Sequence, residues 1–261
     1  MLRMFWNSRT AMNSMQNKLE IISNNMTNVN TVGYKKVDVG FQDLLQESLD
    51  RKGYPVSTGS RNLQVGTGVR NTGIIRSKRQ GVLNQTGNKT DFAIDGQGFF
   101  KVYLQDNSVA YTRNGSFQVN TEGKLVDGSG NLVSITDENG REINGNIRFT
   151  RDNFAVNEKG EVYVNLEDGK STKIGNIGVY YAVGDDAFKS VGENLYVPSD
   201  GNVEILKSND CDLLQGYLEF SNVRMEEEMS DLIMTQRAFQ LNSSALRTAD
   251  EMWGMANNLK R

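Results

Sequence analysis

Apolar residues recur along this chain with two periods, and the change from one to the other divides it. From Leu2 to about Val29 the period is helical. Phe5, Ser8, Met12, Met15, Leu19, Ile22, Met26 and Val29 alternate strictly by three and four, the a/d seam of a coiled coil, with only Ser8 polar. The rest of that helix is mostly Asn, Ser, Thr and Gln, with Arg3, Arg9, Lys18 and Glu20 as its few charges. A solvated helix face ordinarily carries i,i+4 Glu/Lys pairs. The uncharged face therefore predicts a helix with neighbours on several sides.

The chain becomes helical again from Ser221. Ser221 or Asn222 is the expected cap, and Glu226, Glu227 and Glu228 suit the positive end of the helix dipole. Met234, Ala238, Leu241, Ala245, Thr248, Met252, Met255 and Leu259 form one 3-4 stripe; Met225, Leu232, Phe239, Leu246 and Trp253 form a second at seven-residue spacing. Together they cover nearly half the circumference, wider than one two-helix seam requires, and predict at least two helical neighbours.

Residues 81–220 between these helices change to strand period, broken by turn signals at short intervals. Phe92-Ala93-Ile94 leads through a tight turn, Asp95-Gly96-Gln97-Gly98, into Phe99-Phe100-Lys101-Val102-Tyr103; Asn139-Gly140 marks a hairpin between Val133-Ser134-Ile135 and Ile143. An internal echo relates Phe117-Gln118-Val119-Asn120 with Gly123 to Phe154-Ala155-Val156-Asn157 with Gly160. Each strand ends in Asn, and a Gly three residues on supplies positive φ. Residues 30–80 are polar with weak periodicity: Phe41, Leu44, Leu45 and Leu49 predict a short helix, and residues 51–71 an extended connection. The fold class expected is α+β, with long N- and C-terminal helices forming a coiled-coil-like core and a mainly antiparallel β-rich central domain.

Composition narrows the chemistry. Lys+Arg number 29 against Asp+Glu 32, a net charge of −3, which gives no reason to expect nucleic acid or an anionic membrane as partner. No apolar run approaches a membrane span, and the N-terminus turns polar too soon for a cleaved signal peptide. Histidine is absent and Cys211 is the only cysteine. That removes Ser-His and Cys-His nucleophiles, internal disulfides and the usual zinc sites; Cys211 is expected to be buried as a small apolar side chain. Asp95-Gly96-Gln97-Gly98 lacks the third glycine of a dinucleotide fingerprint and precedes a strand, not a helix. Asp106-Asn107 and Asp137-Glu138-Asn139-Gly140 lack EF-hand spacing. Glu158, Glu161, Glu167 and Asp168 fall on turns without aromatic platforms, so solvated loops are expected rather than a glycosidase pair. No cofactor, metal, catalytic residue or small-molecule substrate is expected, and both tryptophans, Trp6 and Trp253, fall in the terminal helices.

Residues 23–35, Ser23-Asn24-Asn25-Met26-Thr27-Asn28-Val29-Asn30-Thr31-Val32-Gly33-Tyr34-Lys35, resemble the N-terminal signature of the bacterial flagellar basal-body rod and hook proteins. Asn24, Asn25, Asn28, Val29, Thr31, Gly33, Tyr34 and Lys35 carry the match; Met26-Thr27 replaces the more usual Leu-Ala. Ser221-Asn222-Val223, Glu228-Met229, Gln236-Arg237-Ala238-Phe239 and Asn242 resemble the family's C-terminal hallmark. Gln64-Val65-Gly66-Thr67-Gly68-Val69-Arg70, Asp95-Gly96-Gln97-Gly98-Phe99-Phe100 and Tyr111-Thr112-Arg113-Asn114-Gly115-Ser116-Phe117 resemble its distal rod branch in particular.

The resemblance implies a structural subunit of the flagellar basal body, exported unfolded by the flagellar type III apparatus without signal cleavage. Such subunits polymerise into a hollow helical tube with the terminal helices inside, and the distal rod is the drive shaft from motor to hook. Implied partners are other copies of the chain, other rod subunits, the hook protein and the rod cap, with ring proteins as further candidates. Four segments follow: an N-terminal assembly helix with signature (1–35), an extended linker with a short helix (36–80), a β-rich domain (81–220) and a C-terminal assembly helix (221–261). The assembly surfaces expected are Phe5, Met12, Met15, Leu19, Ile22, Met26 and Val29 on the first helix, and Leu232, Met234, Phe239, Leu241, Leu246, Met252, Trp253, Met255 and Leu259 on the second. Three other readings stay open: a proximal rod or hook-like subunit, a secreted β-rich adhesin, and a carbohydrate-active enzyme with oligomerising ends.

Overall fold

The computed structural model describes residues 2–44, 46–48, 64–137, 141, 143, 149–150, 153–165, 171–184, 187–199, 203–208 and 211–258. The expectations placed on Leu45, Leu49, residues 51–63, the Asn139-Gly140 turn, Glu167, Asp168 and Leu259 lie outside them. The chain is α+β. It divides into two units, each assembled from separated stretches: residues 1–27, 36–77 and 223–261 form one, and residues 28–35 and 78–222 the other.

The first unit holds both helices, α1 (Leu2–Thr27) and α2 (Met225–Asn258). Asn25 near the end of α1 meets Glu228 near the start of α2, and Ser8 lines one groove with Asn242, so the helices run antiparallel. With 34 residues against 26, α2 outruns its partner, and residues 250–258 are all exposed. α2 begins at Met225, three residues beyond Asn222, whose side chain donates to the Arg79 carbonyl within the second unit (2.8 Å).

The short helix expected around Phe41 is a strand. Val37–Asp43 pairs antiparallel with Val69–Arg76, and Gln46–Ser48 with Gln64–Gly66. The apolar residues Val37, Val39 and Phe41 alternate with Asp38, Gly40 and Gln42, a period of two that outweighs the wider spacing of Phe41 and Leu44.

The second unit is β-rich and antiparallel throughout its described pairings. A sheet centred on Phe99–Tyr103 and Val109–Thr112 continues on one side into Leu195–Pro198 and Phe188–Gly192. On the other it reaches Leu132–Val133, Leu125–Asp127 and Phe117–Val119. The echoed hairpins are built alike. Phe117–Val119 pairs with Leu125–Asp127, and Phe154–Val156 with Glu161–Asn165. Gly123 (φ 81°) and Gly160 (φ 79°) each donate back to the Asn three residues earlier, at 2.9 and 2.8 Å. Phe117 and Phe154 are both buried against Phe92, their ring centroids 6.1 and 6.3 Å from it. Around this trio lie Ile94, Phe100, Val102, Leu125, Val133, Val162, Ile177 and Leu213, with the half-buried Cys211 packed against them.

Candidate functional site

The signature motifs converge on two buried charge nodes, one in each unit. In the second unit the node is Glu219, only 2% exposed, on the strand Tyr217–Glu219. Its carboxylate accepts from Lys35 Nζ (2.6 Å), Arg113 Nε (2.5 Å) and the Gly81 backbone N–H (2.8 Å). Its own carbonyl accepts the Gly33 N–H at 2.8 Å. Three further Arg113 N–H groups donate to the carbonyls of Ile94, Gly96 and Gly98. The bend at Gly96 and Gly98 is therefore an acceptor cradle for a guanidinium.

Electrostatics follow from this packing. Burial pushes the Glu219 carboxyl up, but Arg113 and Lys35 together outweigh it and hold the group below the ordinary carboxylate value. Burial, reinforced by the Arg113 charge, pulls the Lys35 ammonium down despite its bond to Glu219. Two cations on one anion leave Lys35 as the weaker partner.

Gly33 is required at this junction for two reasons. Its φ is +70°, and a Cβ there would stand 2.6 Å from the Asn114 nitrogen and 2.7 Å from the Arg113 carbonyl carbon. Around it, Asn28 closes the preceding turn by accepting from the Thr31 hydroxyl (3.1 Å), Tyr34 is buried and Val29 half-buried.

In the first unit Asn25, 1% exposed, treats Val37 as a strand neighbour would. Its Nδ2 donates to the Val37 carbonyl (2.8 Å) and its Oδ1 accepts the Val37 N–H (3.0 Å). The same Nδ2 reaches Glu228 Oε2 at 3.2 Å. The Lys36 ammonium sits against Glu228 Oε1 at 2.5 Å as an ion pair. Burial opposes that charge, but Glu228 outweighs it and holds the Lys36 ammonium above its ordinary value. Consecutive lysines thus anchor different units. Asn24, the signature's other asparagine here, is exposed on α1.

Three family models match the chain in order: "Flagella basal body rod protein" over residues 6–35, "Flagellar hook protein FlgE/F/G D1 domain" over 93–164, and "Flagellar basal body rod FlgEFG protein C-terminal" over 214–259. Curated relatives agree along the whole length. The chain is 34% identical to the flagellar basal-body rod protein FlgG of Borreliella burgdorferi, with all of both chains covered. It is 36% identical to FlgG of Buchnera aphidicola subsp. Baizongia pistaciae over 97% of each, and 34% identical to FlgG of Bacillus subtilis over all of both. The chain belongs to the flagellar basal-body rod protein family. Within it the chain is FlgG-like, a structural rod subunit of the flagellar basal body that assembles with other flagellar components.

The predicted α1 seam does not face inward as a line. Ile22 is buried, Met12, Met15, Leu19 and Met26 are half-buried, Phe5 is exposed with Met4 and Trp6, and Val29 lies past the helix end. The buried α1 positions are Ser8, Ser14, Ile22 and Asn25; on α2 they are Glu228, Thr235 and Ala249. The helices therefore bury a small, largely polar line, and their larger apolar side chains fall to its flanks. Thr235 and Asn242 satisfy their donors on their own helix, at the Asp231 (2.6 Å) and Ala238 (3.0 Å) carbonyls.

On α2 the seven-residue series Met225, Leu232, Phe239 and Leu246 is half-buried, while Trp253 is exposed. The large residues of the 3-4 stripe point outward: Met234, Leu241 (72% exposed), Met252 and Met255 all meet solvent, while Ala238 and Ala245 are half-buried. The sequence pattern singles out neither Glu219 nor Lys36, and marks Arg113 and Glu228 only as motif residues, not as ion-pair partners. A charge within an otherwise apolar strand, Tyr217-Leu218-Glu219-Phe220, was the available signal. Glu158 and Glu161 line one groove, where the Glu161 carboxylate is already engaged by Lys173 and the Tyr163 hydroxyl, each at 2.8 Å.

Proposed function

We propose that this rod subunit polymerises through the exposed faces of α1 and α2 into a hollow helical tube, forming the distal rod that carries torque from motor to hook. The observation that supports this most is the stripe Met234, Leu241, Met252 and Met255, exposed on a helix whose other flank is already packed. Large apolar patches rimmed by polar residues mark interfaces, and heterologous contacts that do not close generate filaments. Phe5, Met12, Met15, Leu19, Ile22 and Met26 on α1, with Leu232, Phe239, Leu246 and Trp253 on α2, flank the same surfaces; Val29 and Leu259 complete the set by sequence. The neighbours are further copies, other rod subunits, the hook protein and the rod cap, and delivery is by the flagellar type III export apparatus without signal cleavage. Among the described residues no feature favours a hook-like, adhesive or enzymatic reading.

Leu241→Asp tests the proposal, because its side chain packs on little within the monomer. Negative-stain microscopy of concentrated wild-type protein should show straight tubes. The variant should show none while its monomer melts normally. Tubes formed equally well by Leu241→Asp would remove α2 from the interface.

A further inference from the structure

All ten methionines of the chain lie at residues 1–26 or 225–255, and the 198 intervening positions hold none. Nine of the ten fall within α1 or α2. Five of them, Met4, Met229, Met234, Met252 and Met255, are exposed large side chains. Met12, Met15, Met26 and Met225 are half-buried beside them. Thioethers are flexible and adapt to irregular neighbours, which suits a face that must meet more than one partner. They are also the apolar side chains that a two-electron oxidant converts to polar ones.

We propose that these five thioethers are an oxidation-sensitive modification site that controls whether the free subunit can assemble. The inference rests on the assembly reading above. In the reaction a peroxide transfers one oxygen atom to the methionine sulfur. The sulfur lone pair forms the S–O bond, the O–O bond breaks, the thioether is oxidised to sulfoxide and hydrogen peroxide is reduced to water. Met234, Met252 and Met255 sit on the outward stripe with Leu241, so a sulfoxide there would be buried in the polymer without a designed partner. The free monomer exposes these sulfurs, whereas the polymer would cover them. Sensitivity therefore belongs to the subunit before assembly. Cys211 packs against the core of the second unit, whereas these methionines belong to the first.

The experiment treats full-length monomer with dilute hydrogen peroxide, locates sulfoxides by peptide mass spectrometry, and follows polymerisation by light scattering and negative-stain microscopy. Sulfoxide should appear first at the five exposed positions. The critical concentration for tube formation should rise about tenfold or more. Methionine sulfoxide reductase should restore it, and preformed tubes should resist the same dose. A variant with leucine at all five positions should polymerise with and without peroxide, and Cys211→Ala should respond as the parent does. Normal tubes from monomer carrying all five sulfoxides would overturn this inference alone. Failure of untreated protein to form any polymer would overturn the assembly reading on which it rests.

Discussion

Glu219 illustrates how magnitudes rank the residues of one node. Removing the single anion leaves Arg113 and Lys35 as two buried cations, the situation in which breaking an ion pair costs about 3–5 kcal/mol. Removing Lys35 leaves the Arg113–Glu219 pair intact; its charge-assisted bonds to Glu219 and to the Arg79 carbonyl (2.9 Å) are lost, about 1.5–3 kcal/mol each, but the cost of burying the ammonium is relieved with them. Glu219→Gln should therefore destabilise the second unit more than Lys35→Met. Urea unfolding followed by near-ultraviolet tyrosine dichroism can read this separately, because both tryptophans lie in the helices. Acid supplies an independent check. The folded Glu219 carboxyl sits below its ordinary value, so between the folded and unfolded values the unfolded chain binds more protons. Its contribution is present above the unfolded value and is lost as pH falls through the folded one. Wild type should lose stability over that acid window, and Glu219→Gln should show a flatter slope there; equal slopes would mean that the node is not linked to folding.

At the scale of elements, Asn25 ties α1 to the first strand by occupying both backbone groups of Val37. Asn25→Ala strands that N–H, that carbonyl and one oxygen of Glu228, each worth roughly 1–3 kcal/mol when buried without a partner. Asn25→Asp keeps the acceptor but sets a carboxylate beside Glu228, so at neutral pH it should be the more damaging of the two. Tryptophan fluorescence through a urea titration of the first unit reads both, and a milder Asn25→Asp would refute the assigned roles. The existence of α1 and α2 was legible from the 3-4 spacing of their apolar residues. Which line faced inward was not, because hydrophobic periodicity ranks Met above Ser, whereas close helix approach within the unit selects Ser8, Ser14, Thr235 and Ala249. Phe41, which the spacing to Leu44 allows in a short helix, lies in the strand Val37–Asp43 for a related reason: alternation from Val37 to Phe41 is a short signal beside spaced apolar residues.

For the whole molecule, the division of labour runs through the chain's discontinuities. Residues 28–35 belong with 78–222, although the signature reads as one N-terminal motif. Sequence could not reveal this, because the bond that fixes it joins Lys35 to a residue 184 positions away. The central domain is therefore larger than the 81–220 stretch its strand period marks. The helical ends differ again, since residues 250–258 of α2 project with every side chain exposed. If that projection is an assembly surface, its protection depends on the polymer. Chymotrypsin should cut dilute monomer near Trp253 before any site within residues 78–222, and the trimmed product should keep residues 28–35. The same digestion of assembled tubes should spare Trp253. Equal cutting in monomer and tube would leave the C-terminal turns of α2 outside the interface, and the lattice would then have to be built from Leu241 and the residues before it.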